Sequence, residues 1–71
     1  MDEPLKIFGD NIRKRREKLG YSQEELANIA GFDRTYISLI ERGKRNLSLL
    51  NILRFAKALD VSPYELIKNI K

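Results

Sequence analysis

Apolar residues in this chain recur at spacings of three and four, in short runs broken by turn signals about every ten to fifteen residues. Phe8, Ile12 and Leu19 fall on one helical stripe, with Leu5 a turn earlier. Pro4 suits a first helical turn, and Gly20 suits the position just past a helix end. Gly9 sits inside this stretch at a propensity cost of about 1 kcal/mol, which predicts fraying of the first turn. Ser22-Gln23-Glu24-Glu25 has the reciprocal capping pattern: the hydroxyl accepts from a main-chain N–H while Glu25 reaches back. The helix it opens carries Leu26, Ala27, Ile29 and Ala30 before Gly31 ends it. Asp33 can cap a third helix with Ile37 and Ile40 inward, and Gly43 is suited to a left-handed stop.

Ser48 can cap a fourth helix, with Leu49, Ile52, Leu53, Ala56 and Leu59 along one face. Ser62-Pro63-Tyr64-Glu65 combines proline at the first helical position with another Ser/Glu capping box, predicting a short fifth helix with Leu66 and Ile70 inward. No segment alternates at period two for long enough to suggest a strand. The expected fold is all-α, five helices around one core. The second and third helices are short, separated by a loop of two or three residues, with small Ala27 where they would cross. That arrangement predicts a helix-turn-helix over about residues 22–43.

Seventy-one residues suit one small domain, 1–71, with no room for a second. Cysteine and histidine are both absent, which removes disulfides, zinc fingers, iron–sulfur clusters and His-dependent triads. No cofactor, metal or small-molecule ligand is expected. The 14 Lys+Arg against 10 Asp+Glu leave a net charge of +4, an excess that attracts acidic partners without identifying one. Arg13-Lys14-Arg15-Arg16-Glu17-Lys18 and Arg42-Gly43-Lys44-Arg45 concentrate it. On charge alone both clusters are ordinary solvated surface. No apolar run approaches the roughly 20 residues of a spanning helix. The N-terminal Met1-Asp2-Glu3-Pro4 lacks an apolar signal segment, so a cytoplasmic location and no membrane partner are expected.

The stretch Ser22–Gly43, SQEELANIAGFDRTYISLIERG, resembles the DNA-binding core of the Xre/Cro family of phage-repressor-like regulators. Leu26, Ala27, Ala30, Gly31, Phe32, Ile37 and Ile40 each match that family's residue types, and the likeness extends from about Phe8 to Leu66. Asp33-Arg34-Thr35-Tyr36-Ile37-Ser38, then Ile40-Glu41-Arg42 and Arg45-Asn46-Leu47-Ser48, resemble the controller proteins of restriction–modification systems. The resemblance implies a compact phage-repressor-like domain that binds double-stranded DNA.

In this motif the third helix enters the major groove with its N-terminal residues nearest the bases. Arg34 can donate twice to guanine, worth about 1–3 kcal/mol of discrimination. A cation in the first turn of a helix is otherwise slightly unfavourable. Thr35 offers a hydroxyl or a methyl, and Ser38 lies one turn beyond Arg34. The resemblance places Leu39 near the groove. Tyr36 could pack under the helix or reach DNA through its hydroxyl, and the likeness to controller proteins points to DNA. Gln23, at the anion-attracting start of the second helix, is a phosphate candidate. Arg42, Lys44, Arg45 and Asn46 after the third helix, and Arg13 on the first, are further phosphate candidates. Glu41 is misplaced at a helix C-terminus. The resemblance pairs it with Arg16, which assigns both residues to architecture.

One recognition helix reads only a few base pairs, so a two-fold dimer on two half-sites is expected. Leu50, Phe55, Tyr64 and Ile67 fall off the main stripes of the last two helices and are the candidate interface, although scattered exposed apolar residues are ordinary. The leading expectation is a sequence-specific transcriptional regulator acting as a homodimer on a palindromic operator. A controller of restriction–modification genes, its own included, fits best, whether as activator or repressor. RNA polymerase is a further expected partner, through a patch around the third or fourth helix. The alternatives are a phage or plasmid repressor and an antitoxin-type interaction module, whose expected partner-wrapping tail is missing after Lys71. An enzyme is not expected, since no nucleophile–base set exists.

Overall fold

Local signals start and stop most of the helices, and long side chains from neighbouring helices fasten their ends. The structure, a computed structural model, describes residues 3–71; Met1 and Asp2 of the expected domain lie outside the described residues. The order is α1 (Glu3–Lys18), α2 (Gln23–Ala30), α3 (Arg34–Glu41), α4 (Leu49–Ala58) and α5 (Pro63–Ile67). The described residues contain no strand. α3 packs on both α1 and α2, α4 packs on α2 and α5, and α5 closes back on α1. Among the described residues, no helix is long and apolar enough to cross a membrane.

The two ends of α2 are sharply specified. Ser22 Oγ accepts from Glu25 N–H at 3.0 Å while Glu25 Oε1 accepts from Ser22 N–H at 2.8 Å, completing the capping box of α2. Gly31 then adopts φ +78°, and both its N–H and that of Phe32 donate to Ala27 O. Ser48 caps α4 through Asn51 N–H. Two expected caps are different. Asp33 and Ser62 both occupy N-cap positions with extended backbone, but neither side chain makes the cap hydrogen bond.

The core is Phe8, Ile12, Leu26, Ala27, Ile37, Ile40, Phe55, Ala56, Leu59 and Leu66. The Phe55 ring is central, meeting Phe8 edge-on at 6.5 Å, Phe32 at 4.9 Å and Tyr36 at 6.2 Å between centroids. This corrects the expected face of α4. Leu49 and Leu53 are exposed at 68% and 41%, whereas Phe55 is 0% exposed, so Phe55 is a core residue and cannot serve as a dimer contact. The helix is apolar over more than half its circumference, so periodicity alone leaves its rotation open. Ile70 packs against the core from beyond the end of α5.

α1 is helical from Glu3 straight through Gly9. Gly9 is buried, and a Cβ there would lie 2.3 Å from Ile40 O and 2.7 Å from Glu41 O. The missing side chain lets α1 touch the main chain at the end of α3.

Candidate nucleic-acid interface

An eight-residue helix turning about 100° per residue divides α3 into two faces. Ile37, Ile40 and Glu41 are buried. Arg34, Thr35, Ser38 and Leu39 form the opposite arc, continued by Arg42 at the C-cap, with Arg34, Thr35 and Arg42 exposed and Ser38 and Leu39 half-buried. Five candidate contact residues thus share one contiguous outward surface. Tyr36 lies at its edge. Its ring is held between Phe32, at 4.8 Å, and the Arg45 guanidinium, at 5.4 Å from the centroid. Its hydroxyl accepts from Asn51 Nδ2 at 3.1 Å. Packing therefore accounts for the ring, and the hydroxyl hydrogen is what Tyr36 still has to offer a partner.

The segment after α3 is pinned at its base. Gly43 is buried at φ +70°, and a Cβ there would lie 2.9 Å from Lys6 Cα of α1. Around this anchor Arg42, Lys44, Arg45 and Asn46 are all exposed. Arg42 Nε donates to Ser38 O at 3.3 Å, and Asn46 Oδ1 accepts from Leu47 N–H. Three cations therefore follow directly on the outward face of α3, with no carboxylate paired to them among the described residues.

Gln23, the first residue of α2, is half-buried, and its Nε2 donates to Glu41 Oε1 at 3.1 Å. Its main-chain N–H, at a helix start, is the group left for an anion. Arg13 is exposed on α1, 3.5 Å from Asp10, which Lys6 approaches at the same distance. Among the described residues that network does not include α3.

Arg16 and Glu41 form a two-pronged pair, Nε to Oε2 at 2.6 Å and Nη2 to Oε1 at 3.0 Å, with the side chains only 12% and 4% exposed. Arg16 Nη1 also donates to Tyr21 O at 2.8 Å. The hydrogen bond to Glu41 raises the Arg16 pKa above its ordinary value, outweighing the opposite effect of burial.

Three further fasteners have no counterpart in the sequence reading. Arg15 donates to Leu59 O and Asp60 O, holding the end of α4. Asn11 Nδ2 donates to Leu66 O and Lys68 O, holding the end of α5. Arg54 Nη2 donates to Ala30 O at 2.9 Å and Gly31 O at 2.8 Å, with its guanidinium 4.1 Å from the Phe32 ring centroid. One signal pointed to such a residue: α2 has no cation in its last turn to meet its own carbonyls. Of the other interface candidates, Leu50, Tyr64 and Ile67 are exposed at 71%, 65% and 43%, and Leu53 and Leu49 join them.

Residues 12–66 match the sequence profile of the helix-turn-helix family. A hypothetical transcription factor of Neisseria meningitidis serogroup B is 49% identical over 61 residues, 86% of this chain; the chain spans only 58% of that relative's length. The restriction-modification controller protein C.AhdI from Aeromonas hydrophila superposes with a TM-score of 0.85 at 52% identity, over 87% of this chain and 94% of that one. The controller protein C.Esp1396I, as a tetramer in complex with its natural 35 base-pair operator, superposes with a TM-score of 0.85 at 38% identity, over 93% of this chain and 87% of its own.

Proposed function

The chain belongs to the helix-turn-helix family, and on that premise we propose that it is a sequence-specific transcriptional regulator of the restriction–modification controller type, acting on double-stranded DNA. The observation that carries this reading is the outward arc of α3, in which Arg34, Thr35 and Ser38 stand on a rigid helix with Arg42, Lys44 and Arg45 directly after it. Charge near phosphates supplies affinity, and donors at base edges supply discrimination. Arg34 reads guanine through a two-pronged contact; Thr35 and Ser38 supply smaller polar contacts, Leu39 an apolar one, and Tyr36 a hydroxyl at the rim. Arg42, Lys44, Arg45, Asn46 and the main-chain N–H of Gln23 hold phosphates, with Arg13 a more distant cation.

Each copy presents one reading helix, α3, so two half-sites with centres about 34 Å apart, one DNA turn, take two copies. Leu50, Tyr64 and Ile67, joined by Leu53, supply an apolar surface at the α4–α5 end for a two-fold contact. In this reading residues 1–71 work as a single helix-turn-helix domain in the cytoplasm, as a binder and not an enzyme, on a palindromic operator that controls restriction–modification genes, its own included.

Selection of bound duplexes from a random pool tests the proposal. The expected product is an inverted repeat with half-site centres about one helical turn apart. Binding that contacts about six phosphates per dimer should weaken with salt at a log–log slope near −5. A pool that yields no preferred sequence, or binding indifferent to salt, would overturn it.

A further inference from the structure

We propose that Arg54 is a positioning residue for DNA recognition: from α4 it clamps the turn between α2 and α3 and so sets how α3 is presented. The inference rests on the DNA-binding reading above but is argued from contacts that involve no DNA. Two carbonyls, Ala30 O and Gly31 O, converge on one guanidinium nitrogen at 2.9 and 2.8 Å. They lie where α2 ends, at the negative end of a helix that carries no cation in its own last turn. The guanidinium also stands 4.1 Å from the Phe32 centroid, a distance at which a cation is attracted to the ring face.

Both contacts fall on the connection that fixes the angle between the two helices. Phe32 immediately precedes Asp33, whose side chain makes no cap hydrogen bond to α3. The start of α3 is thus held without a cap bond from Asp33. Its external support comes from Phe32 against Tyr36 and Phe55, and from Arg54 against the carbonyls before it. The fit is close: a Cβ on Gly31 would come within 2.8 Å of Arg54 Nη2. Lysine could present its charge to the same carbonyls but lacks the planar guanidinium that both donates to them and stands over Phe32. Methionine could keep the apolar stem and would donate to neither.

The test uses Arg54→Met and Arg54→Lys, at temperatures where circular dichroism shows each fully folded. Without DNA, the Gly31 and Phe32 amides, which both donate to Ala27 O, should exchange at least roughly tenfold faster in Arg54→Met. Ile12 and Leu26 amides in the core should exchange as in the parent. Against DNA, affinity for the selected operator should fall roughly tenfold or more, from losing hydrogen bonds to a charged donor. Affinity for a scrambled duplex and the salt slope should hold, because the phosphate anchors are untouched. Arg54→Lys should fall between parent and Arg54→Met. Unchanged Gly31 and Phe32 exchange in folded Arg54→Met would overturn the proposal. So would equal losses on operator and scrambled DNA with a salt slope smaller by about one, which would make Arg54 a phosphate contact. A parent chain that prefers no duplex defeats the DNA reading alone, and the amide measurement still decides whether Arg54 holds the turn.

Discussion

Arg16 of α1 grips Glu41 of α3 through two parallel hydrogen bonds, and the Glu41 carboxylate is the only charged group in the buried set of the described residues. Gln23 of α2 adds a third donor to the same carboxylate. One anion thereby joins three helices, including both members of the helix-turn-helix. A buried pair of this kind is a weak contributor when intact and a large liability when halved, because the survivor keeps its desolvation penalty.

Glu41→Ala or Arg16→Ala should therefore destabilise the chain by about 3–5 kcal/mol. In a domain this small each kcal/mol lowers the melting midpoint by about 4–8 °C. Replacing both with apolar residues of similar volume should cost less than the sum of the single changes. Thermal unfolding of the two single variants and the double variant checks this. Additive losses would show that the two side chains do not act as a pair.

At Gly9, helix propensity and packing predict opposite signs. Propensity says that Gly9→Ala stabilises a helix interior by about 1 kcal/mol. The Ile40 carbonyl 2.3 Å from the added Cβ says that α1 and α3 must separate. Forced overpacking against backbone should dominate, with a net loss of about 1–3 kcal/mol. The midpoint of urea unfolding gives the sign directly, and a higher midpoint in the variant would contradict the packing.

Arg34 and Lys44 should differ in kind. Arg34→Ala should cost about 1–3 kcal/mol on the operator and relax preference at one base pair in each half-site. Lys44→Gln should weaken all duplexes alike and shrink the salt slope by about one. Titrations of operator and single-substitution duplexes at several salt concentrations separate the two. Arg34 behaving like Lys44 would mean that it touches only phosphate.

Leu50 and Phe55 were grouped by sequence and separated by structure. Leu50→Glu should shift the population toward monomer in sedimentation while leaving monomer unfolding nearly unchanged, since Leu50 is 71% exposed. Phe55→Ala should cost about 3–5 kcal/mol in stability, because it empties the aromatic centre of the core. A Leu50→Glu chain that self-associates like the parent would move the dimer contact away from α4.

Sequence alone determined the five helices, the turn between α2 and α3, and the outward arc from Arg34 to Arg42. These depend on signals within one or two turns: Ser22 with Glu25, Gly31 at positive φ, and the three-and-four spacing of Ile37 and Ile40. Tertiary structure decided which face of α4 turned inward, because an apolar residue such as Phe55 or Leu49 is equally ready for burial until a partner surface exists. It also decided which arginines fasten distant segments. Arg15 and Arg54 look in sequence like Arg13 and Arg42, but their donors meet carbonyls contributed by residues far along the chain; the pairing of Arg16 with Glu41 was legible only through the family resemblance. Charge is written in the residue, whereas desolvation and hydrogen-bond partners arise only when distant segments meet.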